Sequence, residues 1–322
     1  MNRLLDPSIL FFVFGLLAGF LRSNLEIPQP ISRFLSLYLL MALGLKGGFA
    51  LAKSGLNADV VSGIACAVLL AVLVPSLGYL LLRRWLSGFD AVAVAATYGS
   101  VSAVTFITAV QMLEQQGLPP GGHMAAAMAL MESPAIVLAV VMANWLRRRQ
   151  AEGGAAAAST TPLRQVLHES LTDGAQLLLL GAMLVGLLTG EAGQAAMAPF
   201  SVDLFKGMLA FFLLDMGLLA ARNAPALKQA SKWLVAYALL GPLAHATLAL
   251  GLAMLVGLKV ADGALLMVLA ASASYIAVPA VLRQAIPEAN PALYFGLSLG
   301  LTFPFNILLG IPLYTAVAQR LL

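Results

Sequence analysis

Apolar stretches long enough to cross a lipid bilayer follow one another along the whole of this chain, separated by short polar turns. A spanning helix needs about 20 mostly apolar residues. Ten segments approach that length: residues 8–22, 34–53, 60–82, 91–113, 124–146, 167–189, 204–221, 233–256, 263–285 and 291–318. The third runs from Val60 to Leu82 without a polar face, so it must meet lipid or other helices on every side. With 61% hydrophobic and only 10% charged residues, the chain is no soluble domain. The expectation is an all-α integral membrane protein of ten transmembrane helices. Residues 8–22 lack the small-residue cleavage site of a signal peptide and are read as the first helix.

The net charge of +4 does not point to nucleic acid, because the basic residues sit in short clusters between apolar runs. Such clusters are topology signals. With the N-terminus outside, twelve Lys and Arg, among them Arg83, Arg84 and the run Arg147 to Arg149, fall on the cytoplasmic side and four fall outside; Lys46 and Lys206 lie within or beside spans. The sequence therefore predicts a multi-pass protein of the cell inner membrane with both termini outside the cytoplasm. The single cysteine, Cys66, forms no intrachain disulfide, and the three histidines are too scattered for a metal site, so no cofactor is expected. Gly47-Gly48 and Gly121-Gly122 lack the lysine spacing of a phosphate cradle, and no Ser, His and Asp set suggests hydrolysis. An enzyme is not expected.

The two halves resemble each other at a spacing of about 170 residues. Gly19 matches Gly186, Gly44 matches Gly217, Ser100-Val101-Ser102 matches Ser272-Ala273-Ser274, and Glu132-Ser133-Pro134 matches Thr302-Phe303-Pro304, all in the same order. Residues 1–150 then form one five-helix repeat, 151–164 a cytoplasmic linker and 165–322 a second repeat, with core and gate domains each drawn from both. Five spans per half make the second half inverted in the membrane, a pattern common in secondary transporters.

The fourth and ninth spans carry small polar residues where an anchor would carry Leu: Thr97, Ser100, Ser102, Thr105 and Thr108 in one, Ser272, Ser274 and Tyr275 in the other. Pro279 leaves the Tyr275 carbonyl without its helical donor. Both spans are expected to be interrupted and to meet at mid-membrane. There, half-helix N-termini attract an anion, and freed carbonyls with Ser hydroxyls hold a cation. The bland reading is that these hydroxyls bond their own helices. Glu132, Asp215 and Lys46 are ionisable groups inside spans and need partners or water. Lys46 is expected to pair with Glu132 or Asp215 or to face an anionic substrate, whereas Glu114, Glu191 and Glu288 read as solvated loop charges.

The segments Gly44-Leu45-Lys46-Gly47-Gly48, Tyr98-Gly99-Ser100-Val101-Ser102, Leu113-Glu114-Gln115-Gln116-Gly117, Met131-Glu132-Ser133-Pro134 and Ala271-Ser272-Ala273-Ser274 resemble the sodium-dependent bicarbonate transporter superfamily over nearly all ten spans. That resemblance implies sodium-coupled uptake of a small anion such as bicarbonate, a homotrimer, and a small cytoplasmic regulator as partner. It maps anion and sodium binding onto Ser100, Ser102, Thr105, Ser272 and Ser274, sets Tyr275 and Glu132 beside them, and makes Ser102, Glu132 and Ser274 candidate sodium ligands. The family's permeases carry an acidic residue where Tyr275 stands and smaller residues at Ala103 and Val104, so this pocket is expected to be less polar. Two other readings stay open: carriage of another small anion or organic acid with proton or sodium coupling, and a membrane sensor that binds its ligand without moving it.

Overall fold

A computed structural model describes residues 6–55, 57–152, 162, 164, 168, 172–225 and 230–322. The structure is 84% helix, and no strand occurs among the described residues. Most of the predicted linker, 151–164, lies outside the described residues.

Twelve helical stretches among the described residues carry the fold. Helix α1 (Pro7–Phe20) is capped by Asp6, whose side chain accepts the Ser8 amide; α2 (Gln29–Ser54) begins on Pro28; α3 (Ala58–Leu82) is capped by Asn57. Then come α4 (Gly88–Gly99), α5 (Ala103–Gln115) and α6 (His123–Glu152). The second half contains α7 (Gly174–Ala198), α8 (Phe205–Asn223), α9 (Lys232–Val256), α10 (Val260–Ala271), α11 (Ala277–Ala285) and α12 (Pro291–Leu321). Wide π-type turns interrupt α12 at Ser298–Thr302 and Asn306–Gly310.

Among the described residues, seven stretches are long and apolar enough to cross a membrane, where the sequence predicts ten. The reasons are local. Helix α1 has only 14 residues. The ninth segment is broken into α10 and α11, of 12 and 9 residues. Helices α7 and α8 run together as one 50-residue stretch through the turn Pro199–Asp203. Within α7 the path bends at Gly190, whose φ of +53° breaks the helix one residue beyond the predicted end of the sixth span.

Packing divides the helices into two groups. Helix α2 lies along α7 and α1 along α8, with α2 also touching α8; α3 to α6 and α9 to α12 pack among themselves. Glycines set the two close crossings. A Cβ on Gly44 of α2 would collide with the Leu179 carbonyl of α7, and a Cβ on Gly217 of α8 with the Phe12 carbonyl of α1. Gly19 and Gly186 sit on the same two crossings, against Leu218 and Leu45 respectively. The four glycines that match between the halves thus serve equivalent helix pairs, and close approach is the use membrane helices make of small residues.

Exposed apolar side chains such as Phe11, Phe14 and Leu17 of α1 and Val61 and Leu77 of α3 form the outer surface. Every residue of α10 from Ala261 to Ala271 is buried, and so is nearly all of α4 and α5. Helices α4, α5 and α10 are the most enclosed elements, α11 being only partly buried, and the breaks at Ser100–Ser102 and Ser272–Tyr275 are buried in protein, the condition under which irregular backbone survives at membrane depth.

Candidate functional site

The two breaks cross-link each other. After α4 the chain extends through Ser100, Val101 and Ser102 before α5 begins; after α10 it extends from Ser272 to Ile276 before α11. The Ser102 amide donates to Ser272 Oγ at 3.0 Å, and the Ser274 amide donates to the Thr97 carbonyl at 2.8 Å. Each break thereby satisfies backbone that the other exposes. At the end of α10 the Ala271 carbonyl accepts from Asn306 Nδ2 at 2.8 Å, and Tyr314 holds Asn306 by donating to its Oδ1 at 3.0 Å.

The serines take different parts. Ser102 caps α5: its Oγ accepts from the Thr105 amide at 3.2 Å and from Thr105 Oγ1 at 2.9 Å, so both lone pairs are engaged, and its own proton is directed to the Tyr275 hydroxyl. Ser272 Oγ donates to the Leu269 carbonyl at 2.9 Å while accepting from Ser102. Ser274 Oγ accepts from the Val278 amide at 3.3 Å, in the first turn of α11. Pro279 is the third residue of α11, where a missing amide costs no helical bond, so it starts this half-helix instead of kinking a continuous one. Ser100 Oγ is fully buried, with no hydrogen-bond partner among the described residues.

A cavity of about 200 Å³ opens beside the breaks. Its wall includes Ser102, Ser274, Tyr275 and Glu132, with the first residues of both half-helices, Ala103 and Val104 of α5 and Ala277 of α11. Four of the seven predicted site residues therefore share one wall, while Ser100, Thr105 and Ser272 lie buried behind it. Tyr275 turns its hydroxyl toward Met216 Sδ of α8, 3.5 Å away, and packs on Phe303. Lys and Arg are absent from the described lining, so an anion there would meet helix N-termini, amides and hydroxyls instead of a fixed cation.

Two lining residues went unread in the sequence. Gln176 of α7 donates a short hydrogen bond from Nε2 to Glu132 Oε2, and Asp173 caps the same helix through Ala175 and Gln176 amides at 3.0 and 3.1 Å. Both fall inside the predicted sixth span, 167–189, whereas α7 starts at Gly174 with Asp173 as its cap, and the bond to Glu132 joins residues 44 apart. Helix α6 continues through Pro134, which leaves the Leu130 carbonyl without a donor one turn back.

The other intramembrane charges lie elsewhere. Asp215 of α8 accepts a short hydrogen bond from Ser32 Oγ of α2 and does not line the cavity. Lys46 pairs with neither Glu132 nor Asp215; its Nζ lies 2.9 and 3.2 Å from the two carboxylate oxygens of Glu114 and 4.4 Å from the centre of the Phe205 ring. Glu114 is thus no free loop charge, because α5 extends to Gln115, past the end of the apolar run. Glu288 likewise receives Arg147, through Nε at 2.8 Å and Nη2 at 2.7 Å, and those bonds hold its carboxyl below the ordinary glutamate value of 4.5.

The family model of the Na+-dependent bicarbonate transporter superfamily matches residues 7–319. The chain belongs to that superfamily. No curated protein matches it. Membership in the bicarbonate transporter superfamily makes this a multi-pass membrane protein of a transport family, with a small anion and sodium as the implied partners. The match spans both breaks, Glu132 and nearly the whole helical bundle, so the cavity lies inside the region the superfamily defines.

Proposed function

We propose that the protein is a secondary active transporter that couples uptake of a small oxyanion, bicarbonate by family, to sodium by alternating access. The observation that carries this reading is the single cavity into which both broken helices present their first turns, with Glu132 across from them. Partial positive charge at two half-helix N-termini suits a monovalent anion, and the hydroxyls of Ser102 and Tyr275, bonded to each other, line the same cavity. Hard cations take oxygen ligands. Ser102, Ser274 and the Glu132 carboxylate, which line the cavity together, are the oxygens we assign to sodium, with Ser272 and Thr105 holding the frame.

The reading of ten spans in two inverted five-helix repeats draws support from the equivalent breaks and from the equivalent glycine crossings of α1 on α8 and α2 on α7. In it, α1, α2, α7 and α8 form the gate, and the remaining helices form a core that moves past it. The basic residues orient both termini outside the inner membrane, so the cavity, which reaches Asp173 and Gln176 at the start of α7, faces the cytoplasm. A homotrimer and a small cytoplasmic regulator follow from the family resemblance alone.

Purified protein in proteoliposomes should accumulate radiolabelled bicarbonate when an inward sodium gradient is imposed at fixed pH. Ser102→Ala and Ser274→Ala should each slow this on the order of tenfold, the weight of about 1.4 kcal/mol, without lowering the folded yield. Sodium-independent equilibration would redirect the reading to proton coupling or another cargo, and bound anion without flux to a sensor.

A further inference from the structure

A second cavity, of about 660 Å³, lies at the opposite end of the helices that line the first. The order along each helix establishes this. On α2, Ser36 and Leu40 line the first cavity and Leu43 and Lys46 the second; on α5, Ala103 and Val104 line the first and Val110 and Glu114 the second. Helices α6 and α7 repeat the pattern, the second cavity receiving the N-terminal end of α6 and, through Gln194, the far end of α7. Buried Leu43 and Phe106 line the second cavity on its side toward the first, Leu43 standing three residues, about one helical turn, beyond Leu40 of the first cavity, so they form the wall between the two.

The second cavity contains what the first lacks, a fixed cation. Lys46 stands on α2, of the group formed with α1, α7 and α8, and its partner Glu114 stands on α5, of the other group. Glu114 offers Lys46 two oxygens at 2.9 and 3.2 Å, each within hydrogen-bonding distance. A planar carboxylate of charge −1 holding an ammonium in this way is the chemical likeness of bicarbonate or formate in the same place. Both ends of the pair are partly exposed, 19% for Lys46 and 33% for Glu114, so solvent anions can compete.

We infer that Lys46 is a second anion-binding site, which receives a small planar oxyanion in the far cavity when Glu114 withdraws and is closed by Glu114 otherwise. This extends the transport reading, on which its physiological meaning rests: the anion meets Lys46 before the wall opens toward Ser102 and Ser274. Displacement of one part of the fold against the other separates Lys46 from Glu114, and the uncovered ammonium then attracts the cargo. Lys53, exposed on the rim of the same cavity, adds to the positive field.

The test reads anion attraction without transport. A cysteine is placed at exposed Gln194 on the cavity wall by Gln194→Cys, with Cys66→Ala removing the native thiol, and its modification by a negatively charged and a neutral methanethiosulfonate is compared. Relative to the neutral reagent, the anionic one should react about tenfold slower after Lys46→Gln and faster after Glu114→Gln. Bicarbonate or formate should slow it in the Glu114→Gln protein. A ratio unmoved by either substitution, or by both anions, overturns the inference and reduces the pair to a structural bond. The charge exchange Lys46→Glu with Glu114→Lys separates the two directly: a structural pair is restored in every respect, whereas an anion site on α2 stays lost. Intact sodium-driven uptake with an unmoved ratio defeats this inference alone, and a responsive ratio without uptake defeats the transport reading alone.

Discussion

Ser272 and Ser102, 170 residues apart, are joined by a 3.0 Å hydrogen bond from the amide of one broken helix to the hydroxyl of the other. Both residues are buried, and the same Ser272 hydroxyl donates onward to Leu269 of its own helix. One small side chain thereby fixes the register between the halves at their point of contact.

Ser272→Ala should therefore strand the Ser102 amide. A buried donor left without a partner costs about 1–3 kcal/mol. Thermal unfolding of the purified variant should show a lowered midpoint together with reduced uptake, while Ser62→Ala, at a partly buried site whose hydroxyl bonds only its own helix, should show neither.

Glu132→Gln keeps the shape of the Gln176 contact but removes the charge from the cavity. If Glu132 is the counter-charge for sodium, uptake should lose its sodium dependence and fall on the order of tenfold or more. Gln176→Ala, which keeps the carboxylate, should fall less. Equal sodium activation curves for wild type and Glu132→Gln would refute the assignment.

The Arg147–Glu288 bond predicts a pH dependence of stability. Glu288 titrates lower in the folded protein than its ordinary 4.5, so the folded state binds fewer protons there than the unfolded one as pH falls past that value. The stabilisation is complete above about pH 5 and is lost on acidification through 4.5 toward the depressed folded value. Melting curves should thus show Glu288→Gln less stable than wild type by a constant margin near neutrality. That margin should shrink below pH 4.5.

Gly44→Val and Gly217→Val should each force apart a helix crossing at the cost of about 1–3 kcal/mol. Gly181→Val on α7, where an added Cβ meets nothing within 4 Å, is the control. Folded yield in detergent separates the three. Normal yield from both crossing variants would show that these contacts do not set the packing.

Where the helices break was legible, and with it the candidate site, because lipid leaves few reasons for Ser, Thr or Glu at mid-span. Ser100, Ser102, Ser272 and Ser274 fall where the chain leaves the helix, and Glu132 faces the cavity they border. What the residues could not disclose was partnership. Lys46 meets Glu114 across 68 residues and Glu132 meets Gln176 across 44, separations that no periodicity encodes. Glu114 and Glu288 looked like loop charges because hydropathy marks where apolar runs stop, while α5 extends beyond that point and Arg147 is buried against the end of α11. Span counting blurred for a similar reason: Gly190 and the Pro199–Asp203 turn bend the path without ending the helical hydrogen bonding that length criteria follow.

The wall of Leu43 and Phe106 has an electrical consequence. On the proposed topology, water entering both cavities would carry the bulk potential with it, and most of the membrane voltage would fall across that single turn of about 5 Å rather than across the whole bilayer. One elementary charge crossing it then exchanges about 2.3 kcal/mol per 100 mV in a displacement shorter than a side chain. In the proposed transport cycle, a rearrangement of only a few ångströms at α2 and α5 would then transfer the full electrical work of the membrane to whatever net charge the cargo and its sodium carry together.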